Sequence, residues 1–323
     1  MQKACREGRK DLINLMILNK DYNYIQGLRG ACEGGHIELV KMMRDLGAND
    51  YYGGLYYACR GGNLEIIKIL LDLGAYFYHY QGLKGACEGG HLGIIKMMLD
   101  LGAKNYNNGL EAACKGGHNA VVKLMLSLGA NDYNMGFRYA CEGGHLEIAK
   151  LMLSLGADNY SSGLFYACKG GHNELIKMIL SLRPINYNYG LEGACEGGHL
   201  ELINMMLSLG ANNYNFGLCY ACKGGHNDII KMMLELGANN YNDGLYISYH
   251  NRQYEVVKMM IELGADDYHF LKFGNLESML IYIHFTNQVI DLPIKKEHPE
   301  YHLLKVYGKK IPDIDRLINK YLF

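Results

Sequence analysis

Residues 188–212 read Asn-Tyr-Gly-Leu-Glu-Gly-Ala-Cys-Glu-Gly-Gly-His-Leu-Glu-Leu-Ile-Asn-Met-Met-Leu-Ser-Leu-Gly-Ala-Asn. Moving back 27 residues lays Ala167-Cys168-Lys169-Gly170-Gly171-His172 over Ala194-Cys195-Glu196-Gly197-Gly198-His199. Moving forward by the same step lays Ala221-Cys222-Lys223-Gly224-Gly225-His226 over it. A fixed period of this size marks a solenoid, in which each copy buries its apolar face against its neighbours.

Each copy predicts two helices. The first is expected from Gly-Leu through Ala-Cys and ends at Gly-Gly, where positive φ costs little. The second runs as at Glu174–Leu182 and stops at Gly-Ala, as at Gly156-Ala157. Its polar stripe sets Lys41 four residues before Asp45 and Lys96 four before Asp100, a spacing that suits ion pairs. Asn119, Asn173 and Asn227 are N-cap candidates. The array is regular from Tyr24 to Asp267. Its first copy is truncated, with Met1 in the leucine position and Glu7-Gly8-Arg9 in the turn. One extra residue stretches Cys59 to Cys87 to a spacing of 28. At Arg183-Pro184 the usual Gly-Ala is replaced, so a local change of angle is expected there. The signature dissolves at Ser248–Gln253, and the copy at Gly274-Asn275-Leu276-Glu277 is shorter still. Residues 1–270 therefore read as an array of about ten repeats, the last degenerate. Residues 271–323 read as a C-terminal helical cap or tail, carrying Pro293, Pro299 and Pro312, a cluster of lysines, and an amphipathic stretch at Ile311–Leu322.

Composition narrows the function. The chain has 323 residues, 32 basic and 33 acidic, for a net charge of −1. No overall field points to nucleic acid or an anionic membrane, and no apolar run approaches a membrane span. The opening residues already belong to a repeat, which leaves no room for a secretory signal. Nine of the ten cysteines form a ladder: Cys5, Cys32, Cys59, Cys87, Cys114, Cys141, Cys168, Cys195 and Cys222. Stacked helices lie roughly 8–10 Å apart, and a disulfide needs Cα atoms within about 7 Å. Small, buried, reduced thiols in a reducing compartment are the expectation. Seven copies carry Cys-x-x-x-His, from Cys32 with His36 to Cys222 with His226. Two ligands per copy fall short of a tetrahedral zinc site, so a core thiol and a turn histidine are preferred. No cofactor or metal is expected. Cys219-Tyr220-Ala221-Cys222 is a lone Cys-x-x-Cys without a preceding strand.

Helix, Gly-His turn, helix and Gly-Ala, in about nine copies over roughly 85% of the chain, resemble the ankyrin repeat. The matching residues are Ala-Cys-x-x-Gly-His and x-Glu-Ile-x-Lys-x-Leu-x-x-x-Gly-Ala. The usual period is about 33, with a Thr-Pro-Leu-His opening; here Asn-Tyr-Asn-x-Gly-Leu stands in its place. The resemblance implies an all-α, ankyrin-type helical solenoid whose projecting β-hairpin fingers are shortened or lost. This short form is similar to ankyrin-type proteins encoded in many copies by large DNA viruses of amoebae. It implies a non-catalytic scaffold that binds a partner protein, in the host-cell cytoplasm for a viral protein.

Three further patterns bear on function. Tyrosines recur once per copy, from Tyr24, Tyr51 and Tyr78 to Tyr241 and Tyr268, a placement that favours packing. The residue after each cysteine alternates in sign through Glu33, Arg60, Glu88, Lys115, Glu142, Lys169, Glu196 and Lys223. That alternation sets unlike charges side by side along the array and suggests a doubled unit of 54 residues. Finally, copies disagree most just before Ala-Cys and before Gly-Leu. Arg29, Tyr56, Tyr57, Lys84, Glu111, Arg138, Tyr139, Phe165, Tyr166, Tyr189, Phe216 and Tyr220 are the candidate protein-binding residues, since arginine and aromatic side chains anchor interfaces. In ankyrin-like proteins the first helix lines the concave face. A monomeric, non-enzymatic scaffold is the expected function, without nucleic-acid or membrane partners. The alternative is an adaptor whose tail recruits a second partner. Leu292-Pro293 and the spaced apolar residues after it faintly resemble F-box-like tails that recruit ubiquitin-ligase machinery, but a capping role is favoured.

Overall fold

A computed structural model describes residues 1–18, 23–182 and 186–267. Tyr268, the copy at Gly274–Glu277, Arg183-Pro184, Leu292-Pro293, Ile311–Leu322 and the tail at 271–323 lie outside the described residues. The chain forms two compact units, Met1–Gly193 and Ala194–Phe323. Each is a stack of paired helices, and no strand occurs among the described residues.

The pair Tyr133–Gly143 and Leu146–Ser154 shows why the sequence folds this way. The first helix starts at the tyrosine, three residues before the expected Gly-Leu. The cause is the residue ahead of it. Asp132 accepts a hydrogen bond from the Met135 amide at 3.1 Å, a cap worth about 1 kcal/mol. Asn23, Asp50 and Asn159 cap their helices in the same way at 3.0, 3.0 and 3.1 Å. In these copies the recurring tyrosine is thus the first helical residue, half-buried beside the cap, whereas Tyr78 and Tyr187 precede helices that begin at His79 and Asn188.

Both helices end in the same motif. After the first, the His145 amide reaches back to the Ala140 carbonyl at 2.8 Å. After the second, the Ala157 amide reaches the Met152 carbonyl at 3.0 Å. Gly144 and Gly156 take φ of 81° and 106°, where only glycine is unstrained. The expected N-caps of the second helices are corrected by this geometry. Asn119 and Asn227 are the first helical residues, and His118 and His226 hold the cap position without a side-chain cap bond. Asn173 likewise opens its helix. The second-helix ion pairs also run differently. Lys41 reaches back three residues to Glu38 at 3.0 Å, and Lys150 and Lys177 repeat the contact with Glu147 and Glu174.

The core of each layer is assembled from both helices. Phe137, Ala140 and Cys141 meet Ile148, Ala149 and Met152, all at most 2% exposed. The glycine before the recurring leucine makes room for this packing. A Cβ on Gly109 would stand 2.5 Å from the Met125 sulfur and 3.2 Å from that of Cys87 in the preceding repeat. The Cys87 thiol lies 3.9 Å from the same methionine sulfur. All ten cysteines are buried, and desolvation pushes Cys32, Cys87, Cys114, Cys168 and Cys222 up to about 12. They are protonated packing elements at neutral pH.

Between neighbouring repeats an asparagine ladder closes the linker. Asn134 Oδ1 accepts from the Asp158 and Asn159 amides at 2.9 and 3.0 Å. Asn107 does the same for Asn131 and Asp132, and Asn242 for Asp266 and Asp267. One side chain thus satisfies two successive linker amides of the next repeat.

Candidate protein-binding face

The histidine of each turn is engaged structurally. His118 Nε2 lies 2.9 Å from the Glu88 carbonyl of the preceding repeat, and His145 Nε2 lies 2.9 Å from that of Lys115. His36, His91, His172 and His226 make the equivalent contact at 3.0–3.1 Å. A carbonyl only accepts, so Nε2 carries the proton. In one copy that lacks the histidine, Asn63 donates instead to the Cys32 and Glu33 carbonyls at 2.7 and 2.9 Å. Buried thiols and committed imidazoles give the Cys-x-x-x-His pattern a packing role, and no metal-binding cluster occurs among the described residues.

The alternating charges also join neighbours. Arg60 sits between Glu33 at 3.8 Å and Glu88 at 3.6 Å, and Lys115 pairs with Glu142 at 2.9 Å. In the second unit Lys223 pairs with Glu196 at 3.0 Å. Exposed pairs of this kind contribute about 0–1 kcal/mol each.

The residues just before Ala-Cys lie on the outward side of the first helices, and their roles differ. Where the second of them is glycine, it is a packing requirement. A Cβ on Gly30, Gly85 or Gly193 would collide with the carbonyl oxygen of Gln2, Tyr56 or Phe165 in the repeat before. Tyr57, Tyr139, Tyr166 and Tyr220 occupy that position in other copies and stay half-exposed. Two of the first-position residues are tied down. Arg29 pairs with the capping Asp50 at 2.6 Å. Tyr56 donates to the Glu88 carboxylate and stands edge-on to Tyr57 with centroids 5.0 Å apart. Burial raises the Tyr56 hydroxyl, reinforced by the Glu88 charge. Desolvation also raises the Glu111 carboxyl, with the Lys84 charge opposing it.

Arg138 is held between two rings, its guanidinium 4.4 Å from the Tyr166 centroid and 5.4 Å from that of Tyr139. It donates to the Tyr166 hydroxyl, while its Nε is buried with no partner. Phe165 packs edge-on to Tyr166 at 5.0 Å. Glu192 is 8% exposed, and desolvation alone raises its carboxyl. Tyr189 is exposed.

In the second unit, Phe216, Cys219, Tyr220, Lys223, Asp243, Tyr246, Ile247, His250 and Asn251 line an open groove of 470 Å³. Phe216 and Tyr246 are 55% and 50% exposed. Phe216 and Tyr220 are among the sequence candidates. Tyr246, Ile247 and His250 are not, because they fall in the copy whose signature dissolves. There Arg252 takes the glycine's place at φ 60° and Gln253 that of the histidine.

Sequence reading also missed an exposed aromatic cluster in the lengthened linker of the first unit. Ala75–Tyr78 forms a 3₁₀ turn. Tyr52 meets Tyr78 edge-on at 5.0 Å, Tyr76 lies 5.9 Å from Phe77, and Phe77 is 77% exposed. The extra residue in that spacing was the available signal.

No helix among the described residues is long and apolar enough to cross a membrane. No curated protein matches the chain. Among solved structures, the crystal structure of the human ASB11 ankyrin repeat domain matches at 22% identity. The match covers 57% of this chain and 98% of that one, with a TM-score of 0.35, too low a likeness to inform either geometry or partner. Residues 191–269 match the family model for ankyrin repeats in three copies. Those residues include the helix pairs Tyr214–Gly224 with Asn227–Glu235 and Tyr241–His250 with Tyr254–Glu262, so this part of the chain is similar to ankyrin repeats.

Proposed function

We propose that the chain is a non-catalytic scaffold that binds a partner protein through the first-helix face of its repeats. One observation carries this reading. The residues that recur in most copies are consumed by stacking, as capping residues, core thiols, turn histidines and linker asparagines. The residues that differ between copies gather on the first helices and include half-exposed tyrosines, Arg138 and the groove walls Phe216 and Tyr220. Aromatic and arginine side chains on a rigid face are the usual anchors of protein interfaces. The alternating charges do not supply the continuous basic stripe that nucleic acid requires. The 27-residue form supports reading the partner as a host protein met in the cytoplasm by a monomeric viral scaffold.

Affinity capture from host lysate tests the proposal. The wild type is compared with a variant carrying Tyr139→Ala, Tyr166→Ala and Tyr220→Ala. The folded variant should lose at least one partner retained by the wild type. Retention of every partner would sink the assignment to this face.

A further inference from the structure

In the first unit, Arg138, Phe165 and Glu192 occupy the same position in three successive repeats. Arg29 at this position is neutralised by Asp50, and Tyr56 is bonded to Glu88. Arg138 and Glu192 differ from both. Among the described residues neither forms a direct ion pair, although the Glu111 carboxylate of the preceding repeat acts on Arg138 electrostatically. Arg138 is oriented by two tyrosine rings, and one of its donors is buried with nothing to accept from it. Glu192 is a carboxylate on a residue 92% buried, without a hydrogen-bond partner among the described residues. A charge left without a direct partner on a rigid face is open to one that a ligand supplies. The next residue, Gly193, lies against the Phe165 carbonyl, so the row is continuous from Phe165 to Glu192.

We infer that this row is an incomplete set of ion pairs that the partner completes. It fits a segment presenting an acidic side chain to Arg138, an apolar one to Phe165 and Tyr166, and a basic one to Glu192. The inference rests on the scaffold reading and specifies the chemistry of its partner. Neighbouring repeats lie roughly 8–10 Å apart, so the two charges are separated by about 16–20 Å. An extended segment advances about 3.3 Å per residue, which places its acid and base five or six residues apart. Because an extended peptide can lie in either direction, the row selects the pairing of unlike charges and not their order along the partner.

The test uses the full chain and three synthetic nonapeptides on a Gly/Ser background. Each has leucine at its fifth position. The second and eighth positions hold Asp and Arg, Asp and Asp, or Arg and Arg. Fluorescence anisotropy should show the wild type preferring the mixed peptide by about tenfold or more. Arg138→Glu should transfer the preference to the doubly basic peptide, and Glu192→Lys to the doubly acidic one. Where Glu192→Lys fails to fold, Glu192→Gln should still abolish the preference for arginine at that end, with a Tm no lower than the wild type's. Absence of a preference in the wild type, an unchanged preference in the variants, or a lower Tm for Glu192→Gln would each overturn the inference. If charge variants keep every partner that the tyrosine variant loses in lysate, the scaffold stands and this row is not its recognition element.

Discussion

Within the helix Tyr133–Gly143 and the turn that follows it, two regions obey opposite constraints. The turn Gly143-Gly144-His145 recurs with the same letters in most copies. Gly143 sits where a Cβ would collide with the Lys115 carbonyl, and His145 binds that same carbonyl. Less than two turns of helix earlier, Arg138 and Tyr139 have neighbours at the same position as different as Glu111 and Phe165. The turn is read by the preceding repeat, whose backbone is always the same. The helix face carries no such fixed contact at Arg138 and Tyr139, and on the proposed reading it is a partner outside the stack that reads it. Repetition therefore marks residues that hold the protein together, while the positions where it fails divide between packing, as at Gly85, and the candidates for recognition, as at Arg138.

The sharpest way to break this comparison is to alter glycines that look alike in sequence. Gly85→Ala should destabilise the protein by about 2–3 kcal/mol, because the new methyl meets the Tyr56 backbone, which has nowhere to move. Gly93→Ala, in a second helix with open space around it, should instead be neutral or stabilising by up to about 1 kcal/mol. Urea denaturation midpoints of the two variants check the contrast. Equal effects would show that proximity to the preceding repeat is not the constraint.

A smaller effect is expected at the histidines. His118→Ala leaves the Glu88 carbonyl without its donor and should cost about 1–3 kcal/mol. His118→Asn should cost less, since Asn63 performs the same task in its own repeat. Denaturation of both variants would expose a purely steric role, in which asparagine gives no rescue.

The first-helix face should respond to pH. The Glu192 carboxyl is raised in the folded state, which therefore holds its proton more tightly than the unfolded chain does. Stability from this group is full below the unfolded value of about 4.3. It declines as pH rises above that value toward the raised folded one. Glu192→Gln should flatten this part of the Tm–pH curve, and an unchanged slope would mean that the carboxylate is compensated. The smallest effect belongs to the charge row. Lys115→Glu should cost under about 1 kcal/mol, more at low salt than at high, because its pair with Glu142 is partly exposed.

Much of the fold was legible in the sequence because a 27-residue period repeats each packing decision. The cysteine ladder, the Gly-Gly and Gly-Ala stops and the alternating charges could all be placed without coordinates. What could not be placed depended on contacts between copies. Asn119 looked like a cap because asparagine suits that role, yet the helix starts one residue earlier in effect, with His118 at the cap and its ring turned to the repeat before. The tyrosines looked like linker residues until the capping carboxylate of Asp132 and its equivalents drew them into the helix. For the candidate face, residue type distinguished Arg138 and Tyr166 but could not reveal that Arg29 is already neutralised by Asp50, or that Glu192 is not exposed. Those distinctions are matters of partner and burial, which a single copy does not encode.

The alternating charge row gives the chain a parity. Remove the one copy that carries Lys115, and Glu88 becomes the neighbour of Glu142. Remove two consecutive copies, and every acidic residue still adjoins a basic one. Recombination between copies can therefore lengthen or shorten a gene of this kind without electrostatic conflict only in steps of 54 residues. The length of the first-helix face is then set in pairs of repeats, and a chain with an odd change carries a local seam of like charge.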